Sequence, residues 1–425
     1  MKERLQKLLQ SSYTRNILTL VSGASLSQVI LLVITPVLTR IFTPEDFGVY
    51  AAFFAVVSIL VLVVTGRYEV AILLPKEERE AVQLFLISIG LALVSCFLLY
   101  LLLPLGLPLL DRYFETSLKP VQYWLPPAVF LLAVIQAAGF LVNRQQHYRR
   151  LSYSRVAGSG TTGLASILLG LATLTKTGLI FGKIIGMVLE SLVLVVPLGS
   201  VFRKQQGADQ SYRSLLKKYR NFPFFSIPEA LVNTSYRQLP VLLLTSLFSP
   251  AVAGFYALAH SIVSKPLGTI GSSFMQVFFQ RAAALNDVSS PSLEDLFVKN
   301  LKALFLMAFL PCLLLALVAP GVFEFILGEG WRTTGVYTRW LMPLIFFSFM
   351  KSPLSALVDI KNKIGQNIFF EVALLFLTIV AFYVGFRQKD PLLAVQLYSL
   401  SCSLVVIVQI IWFYQLTKVD SSWNT

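Results

Sequence analysis

Long apolar runs, each about the length of a membrane-spanning helix, follow one another along the chain and are separated by short polar stretches. A hydrocarbon core about 30 Å thick is crossed by roughly 20 residues of α-helix. The pattern therefore predicts an all-α, polytopic membrane protein with twelve transmembrane helices. Their predicted extents are 16–40, 44–66, 81–105, 120–143, 153–175, 177–201, 222–247, 251–280, 300–320, 334–358, 366–386 and 391–416.

The turn after the first run carries the signals of a helix start. Thr43 is a good N-cap residue, Pro44 suits the first helical position, and Glu45 and Asp46 favour the positive end of the helix dipole. The second helix is expected to begin there. The first run is about 25 residues long, against roughly 7–15 in the apolar region of a signal peptide, so we expect it to remain as a transmembrane helix.

Composition and charge narrow the class of protein. The chain has 425 residues, 56% of them hydrophobic and 13% charged, and its mean hydropathy is +0.74. Soluble proteins carry about 25% charged residues, so these values exclude a soluble enzyme, a disordered chain and a disulfide scaffold. The net charge of +14 is also typical of proteins that bind nucleic acid. Such binding needs a basic surface on a soluble fold, and we expect no nucleic-acid partner.

The distribution of Lys and Arg predicts the orientation of the chain. With the N-terminus placed inside, 23 of the 35 basic residues lie in inner segments, eight in outer segments and four within spans. Cytoplasmic loops carry the excess of basic residues in membrane proteins, so both termini are expected to be cytoplasmic. Cys96, Cys312 and Cys402 are scattered over apolar runs and are expected to be buried thiols.

A short internal repeat divides the chain. LTRIFTPEDFGVYA at 38–51 matches LTSLFSPAVAGFYA at 244–257 with a constant offset of 206 residues. Because the offset spans six helices, an even number, both halves enter the membrane from the same side and form a parallel repeat. We therefore expect two six-helix lobes, 1–201 and 222–425, joined by a basic cytoplasmic linker at 202–221.

Three stretches resemble a known family. Residues 38–81, the segment YRNFPFFSIPEALVN at 219–233, and residues 252–283 are similar to bacterial polysaccharide biosynthesis membrane proteins. These are the Wzx-like flippases of the MOP exporter superfamily, which also contains the MATE drug exporters and the peptidoglycan lipid flippases. With the helix count, the resemblance extends over essentially the whole chain.

The resemblance implies a fold and a substrate. The fold is a V-shaped, MATE-like bundle of two lobes with a central cavity, which opens alternately to each side of the bacterial cytoplasmic (inner) membrane. The substrate is an oligosaccharide repeat unit on a polyprenyl pyrophosphate carrier, used in O-antigen (lipopolysaccharide) or capsule assembly. A glycan polymerase and chain-length machinery are the further partners that it implies.

Charged groups at membrane depth are costly and usually face a cavity or a partner. Glu229, Asn233 and Arg237 recur every four residues on one face of the seventh helix, and either line the cavity or stabilise helix packing. Lys265, next to a proline, is either a cavity cation or the partner of a buried acid. The full set of candidate substrate-binding residues is Arg67, Glu229, Asn233, Arg237, Lys265, Lys183 and Arg40.

A second set of charges is a candidate for ion coupling. Lys183 and Glu190 share one face of the sixth helix, where Gly182 and Gly186 permit close approach of another helix; structural pairing and cavity lining are equally open. The acids of the tenth and eleventh helices either carry a coupled ion or, as we favour, balance nearby lysines. The ion-coupling candidates are Glu190, Asp359, Glu371 and Lys351.

Arg67 lies in the triplet Arg67-Tyr68-Glu69, interpreted as the end of the second helix, and is a first contact for phosphate or a cation that complements the helix dipole. The sequence contains no Walker motif, metal-ligand cluster or nucleophile elbow. We therefore expect a transporter without cofactors, coupled to H⁺ or Na⁺, rather than an enzyme. The alternatives are a MATE-type drug or cation antiporter and, less favoured, a membrane glycan polymerase or ligase.

Overall fold

The computed structural model describes residues 12–114, 121–172, 175–199, 212–285 and 291–418, and within these ranges the chain is helical without β-strands. Residues 202–211 of the predicted linker and the first eleven residues of the predicted N-lobe lie outside the described residues. In chain order the α-helices are α1 Ser12–Ile41, α2 Pro44–Val64, α3 Tyr68–Ala71, α4 Glu78–Phe114, α5 Leu125–Arg144, α6 Tyr148–Leu171, α7 Thr175–Val195, α8 Tyr212–Lys218, α9 Ile227–Leu247, α10 Pro250–Leu285, α11 Pro291–Leu327, α12 Arg332–Leu354, α13 Ala356–Ile360, α14 Ile364–Arg387 and α15 Pro391–Lys418.

The long helices confirm an all-α membrane protein. Within the described ranges, nine candidate spans are long and apolar enough to cross a membrane. They lie on α1, α2, α4, α5, α7, α11, α12, α14 and α15. The other three long helices, α6, α9 and α10, are richer in polar and charged residues. The count of twelve spans therefore stays a prediction.

Several boundaries differ from the sequence prediction. α4 and α11 each have 37 residues, about 55 Å of helix at 1.5 Å per residue, so they are far longer than a hydrocarbon core. The predicted span 334–358 is interrupted, because α12 ends at Leu354 and α13 begins at Ala356. Inside α11, Pro320 lacks an N–H group and frees the Ala316 carbonyl, which accepts a hydrogen bond from Arg339 Nε at 2.9 Å.

The chain forms two compact units, Met1–Gln238 and Leu239–Thr425. The division falls within α9. The predicted boundary in the 202–221 linker stays a prediction.

The repeated turn joins two helices with corresponding boundaries in both places. α1 ends at Ile41 and α2 begins at Pro44, while α9 ends at Leu247 and α10 begins at Pro250, which preserves the offset of 206. At the first turn, Thr43 and Asp46 form a capping box. At the second, the Ser249 hydroxyl accepts a hydrogen bond from the Val252 amide at 3.3 Å. The local sequence thus predicted the helix start at Pro44 correctly, and α10 begins one residue before the predicted position 251.

Close packing of α6 against α7 organises the first unit. A Cβ atom at Gly182 would meet Ser166, and one at Gly186 would meet the Thr162 hydroxyl and the Gly158 carbonyl. These glycines let the two helices approach closely, as predicted. A separate cluster of buried side chains, including Phe53, Val57 and Leu125 of α2 and α5, forms a core beside them. The three cysteines are buried and free.

Candidate functional site

The turn after α2 places a half-buried cation beside a buried carboxylate. The helix ends at Val64, so Arg67 does not lie at its end as the sequence predicted. Gly66 and Arg67 have φ angles of 62° and 59°, and two successive left-handed residues cannot continue a right-handed helix. This conformation costs a residue with a side chain roughly 1–2 kcal/mol, so surrounding contacts must hold Arg67 in place.

Two such contacts reach the Arg67 guanidinium. Its Nε donates to Ser226 Oγ at 3.4 Å, and a terminal nitrogen lies 3.6 Å from Glu69 Oε1. The Arg67 side chain is 22% exposed and that of Glu69 is fully buried. Because a guanidinium carries five N–H donors, Arg67 keeps donors for an anion, and a phosphate matches its planar geometry.

Glu69 is an acid whose charge depends on Arg67. Burial raises the pKa of its carboxyl group, and the charge of Arg67 opposes this shift only in part. The Thr65 hydroxyl gives its one proton to the Val61 carbonyl at 3.2 Å, and neither carboxylate oxygen of Glu69 has a hydrogen-bond partner among the described residues. Protonation of Glu69 would therefore weaken its hold on Arg67.

Ser226, directly before α9, contacts this turn. A π-helical turn, Phe222–Ser226, leads into α9; such turns are rare and frequently mark functional sites. The predicted stripe continues from it: Glu229 and Arg237 are exposed and Asn233 is half-buried. Eight residues of helix separate the two charges by about 12 Å, which does not suit a direct pair.

Lys183 and Glu190 lie on α7 and are both half-buried. They interact electrostatically, and Arg155 of α6 places a second positive charge near Glu190. The Glu190 carboxylate lies against Gly158, where an added Cβ would come within 2.9 Å of Oε2. The structure therefore brings three charges together in the first unit, and the contribution of Arg155 was not predicted.

In the second unit, Lys351 of α12 and Glu371 of α14 form an ion pair, with Nζ 3.7 Å from Oε1. This is the arrangement expected if the acid balances a nearby lysine. Asp359 is exposed on α13, and Lys265 is exposed on α10 directly before Pro266. One turn before Glu371, the Asn367 side chain accepts a hydrogen bond from Gln409 at 2.6 Å.

Arg40 is separated from Arg67 by the length of α2. It is exposed in the last turn of α1, and the 21 residues of α2 correspond to about 30 Å. One small anion therefore cannot contact both arginines at once. Among the described residues, no group of three or more His, Cys, Asp or Glu side chains is placed to hold a metal ion.

The sequence interpretation missed Glu69 as a partner of Arg67 and did not connect Ser226 with that turn. Gly66, directly before Arg67, was the available signal, since glycine is common where a helix ends in a left-handed residue. Nothing local signals the contact with Ser226, because 159 residues separate it from Arg67.

Comparison with known proteins gives the family and the fold. The sequence model of the family described as polysaccharide biosynthesis protein matches residues 37–335, a range that includes the Arg67 turn and α9. No curated protein sequence matches this chain. Solved structures of similar fold do exist, at identities that show the fold alone.

An inward-facing multidrug resistance MATE family transporter of the MOP superfamily has a TM-score of 0.68 and 14% identity, with 95% of this chain and 96% of that chain covered. The lipid II flippase MurJ in an inward closed conformation has a TM-score of 0.70 and 12% identity, covering 94% and 87%.

A MOP superfamily transporter from Pyrococcus furiosus, described as having a binding pocket of reverse polarity, has a TM-score of 0.65 and 14% identity, covering 97% and 96%. The match to the family extends over more than half of the chain, and the resemblance seen in the sequence is confirmed. The chain belongs to the polysaccharide biosynthesis protein family, and its fold is that of the MOP superfamily of membrane transporters.

Proposed function

We propose that this protein is a flippase that moves polyprenyl-pyrophosphate-linked oligosaccharide repeat units from the cytoplasmic to the outer leaflet of the bacterial inner membrane. The observation that carries the proposal is the half-buried Arg67, held by Glu69 and Ser226 after α2. Guanidinium groups bind phosphate oxygens through paired, charge-assisted hydrogen bonds. A pyrophosphate carrier supplies the anion that such a residue recognises.

Further residues complete the proposed binding surface. Arg237, Lys265, Lys183 and Arg40 add cations along the proposed path, while Glu229 and Asn233 offer hydrogen bonds to sugar hydroxyls. Polar side chains cost free energy in a membrane helix and are commonly retained for function. In support, α9 and α10, which carry four of these residues, are among the long helices that fall outside the apolar set.

Alternating access driven by a proton or sodium gradient is the proposed cycle. Glu190, Asp359, Glu371 and Lys351 are the candidates for coupling, and the Lys351–Glu371 pair is the clearest. When such a pair opens, the carboxylate of Glu371 binds a cation or a proton in place of the Lys351 ammonium. The translocated lipid-linked repeat units would pass to a glycan polymerase and chain-length machinery.

A MATE-type antiporter is the second candidate, favoured by the likeness to MATE structures. Organic cations require an acidic binding surface, whereas the spans assigned from the sequence hold four acids and four bases. The basic groups are therefore better matched to an anionic carrier.

The test is to delete the gene in its bacterium and locate the lipid-linked glycan. Accumulation on the cytoplasmic face is expected, with restoration by wild type but not by Arg67→Ala. Loss of a charged hydrogen-bond donor costs about 1.5–3 kcal/mol, so export should fall by roughly one to two orders of magnitude. Arg67→Lys should retain part of the activity. Arg332→Ala, which removes an exposed ion pair with Glu324, is the control.

Two further variants extend this test. Neutralising Lys265 or Arg237 should abolish export while the amount of folded protein is unchanged. Wild-type glycan levels with Arg67→Ala and with both of these variants would refute the proposal. Unpolymerised glycan on the outer face would indicate a polymerase, and loss of drug resistance without a glycan defect would indicate a MATE-type antiporter.

A further inference from the structure

Each unit contains a cluster of glutamate, tyrosine and lysine at the beginning of a 37-residue helix. In the first unit, Glu80, in the first turn of α4, accepts hydrogen bonds from Lys218 Nζ and from the Tyr219 hydroxyl at 3.3 Å. The Lys218 ammonium also lies 5.2 Å from the centre of the Tyr219 ring. We name Glu80, Lys218 and Tyr219 the first clasp.

The second unit repeats this chemistry with different sequence positions. Glu294, in the first turn of α11, accepts a hydrogen bond from the Tyr414 hydroxyl and lies 3.8 Å from Lys418 Nζ. The Lys418 ammonium lies 4.5 Å from the centre of the Tyr414 ring. We name Glu294, Tyr414 and Lys418 the second clasp.

The two clasps occupy corresponding places in the repeat. The matching turns lead into α2 at Pro44 and into α10 at Pro250. The next long helix is α4 after α2 and α11 after α10. The partners of each glutamate come from the sixth long helix or the chain that follows it. Lys218 ends α8, which follows the sixth long helix α7, and Tyr219 is the next residue, whereas Tyr414 and Lys418 lie in the last turns of α15, the sixth long helix of the second half. The clasp thus joins the third helix of each half to the chain at the end of that half.

The first clasp also holds the segment that leads into α9. Leu215 and Tyr219 are buried in a cluster with Ile72, Phe85 and Leu141. The Tyr68 hydroxyl donates to the Leu216 carbonyl at 3.2 Å. This anchored segment continues through the π-helical turn to Ser226, which accepts the hydrogen bond from Arg67.

Neighbouring residues Arg67 and Tyr68 therefore contact the two ends of one segment, at Ser226 and Leu216. The Glu80 side chain is 8% exposed, against 33% for Glu294. A buried glutamate cannot replace lost partners with water as an exposed one can. The first clasp is therefore the better anchor of the two.

We propose that Glu80 is a positioning residue for the anion-binding Arg67. Through Lys218 and Tyr219 it anchors the segment 212–226, and this anchoring keeps Ser226 in hydrogen-bond contact with the guanidinium. The inference rests on the proposed function, because it assumes that Arg67 receives a phosphate group. The second clasp lies in the other unit, which does not include the Arg67 turn, and supplies a matched control.

The experiment uses the full chain, purified in detergent, with inorganic pyrophosphate as the probe. Glu80→Ala should weaken pyrophosphate binding about three- to tenfold, the net range of an ordinary intramolecular hydrogen bond, whereas Glu294→Ala should leave it unchanged. In a Ser226→Ala background, Glu80→Ala should have no additional effect, since interacting residues are not additive. If Glu80→Ala folds poorly, Lys218→Gln takes its place, because the Lys218 side chain is half-exposed. This variant should also weaken pyrophosphate binding.

Trypsin cleavage after Arg220 reports the anchoring without a ligand. Cleavage should accelerate in Glu80→Ala and stay at the wild-type rate in Glu294→Ala. Faster cleavage with unchanged pyrophosphate binding would overturn the positioning role and leave the proposed function intact. Wild-type protein that binds no pyrophosphate, with no effect of Arg67→Ala, would overturn both the positioning role and the proposed function.

Discussion

Replacing Gly182 by alanine adds one methyl group where α7 lies against α6. The new Cβ would lie 2.7 Å from the Ser166 backbone nitrogen, 2.8 Å from its Cα and 2.2 Å from its hydroxyl oxygen. The hydroxyl can rotate away, but the backbone atoms cannot. The two helices must therefore separate locally to accommodate the methyl group.

The expected loss of stability combines two opposing effects. Overpacking a well-packed site costs about 1–3 kcal/mol, and a backbone clash belongs in the upper half of that range. Alanine is favoured over glycine inside a helix by about 1 kcal/mol. Gly182→Ala should therefore be less stable than wild type by about 1–2 kcal/mol.

Gly160→Ala, on α6, is the matched control. A Cβ there meets nothing within 4 Å, so only the helix propensity changes and stability should rise by up to about 1 kcal/mol. The difference in stability is measured as the half-life of each folded variant in detergent at one elevated temperature, since many large proteins unfold irreversibly. Equal half-lives for the two variants would refute the close approach of α6 and α7.

Three further predictions concern charged groups. Because burial raises the pKa of Glu69, lowering the pH neutralises it earlier than an ordinary glutamate, so the difference in pyrophosphate affinity between Glu69→Gln and wild type should shrink as pH falls; a constant ratio contradicts this. Asp46→Ala removes the capping box and should lower stability by about 1 kcal/mol, measured by thermal unfolding against the exposed Glu45→Ala. Arg339→Ala leaves the Ala316 carbonyl, which Pro320 frees, without the Arg339 hydrogen bond and should lower stability by about 1.5–3 kcal/mol; a thermal shift no larger than that of Arg332→Ala would contradict it.

The helical architecture was largely predictable, because hydropathy and helix-capping signals are local. The apolar runs located every long helix of the described chain to within a few turns, although α4 and α11 extend well beyond the apolar core of their runs. Thr43-Pro44 and Ser249-Pro250 mark helix starts by side-chain chemistry that acts within one turn. Hydropathy is a weaker guide for α6, α9 and α10, because these helices are less apolar than a typical transmembrane span.

The partners of the charged residues were decided by the tertiary structure. Helical periodicity showed that Lys183 and Glu190 share a face, but it could not show that α6 brings Arg155 to them. Likewise, Arg67 was recognised as a candidate, whereas its contacts with Ser226 and the buried Glu69 depend on a left-handed turn and on a segment far along the chain. A helical pattern specifies which face carries a charge; which residue meets that face depends on how distant helices pack, because contact between them follows from the three-dimensional fold.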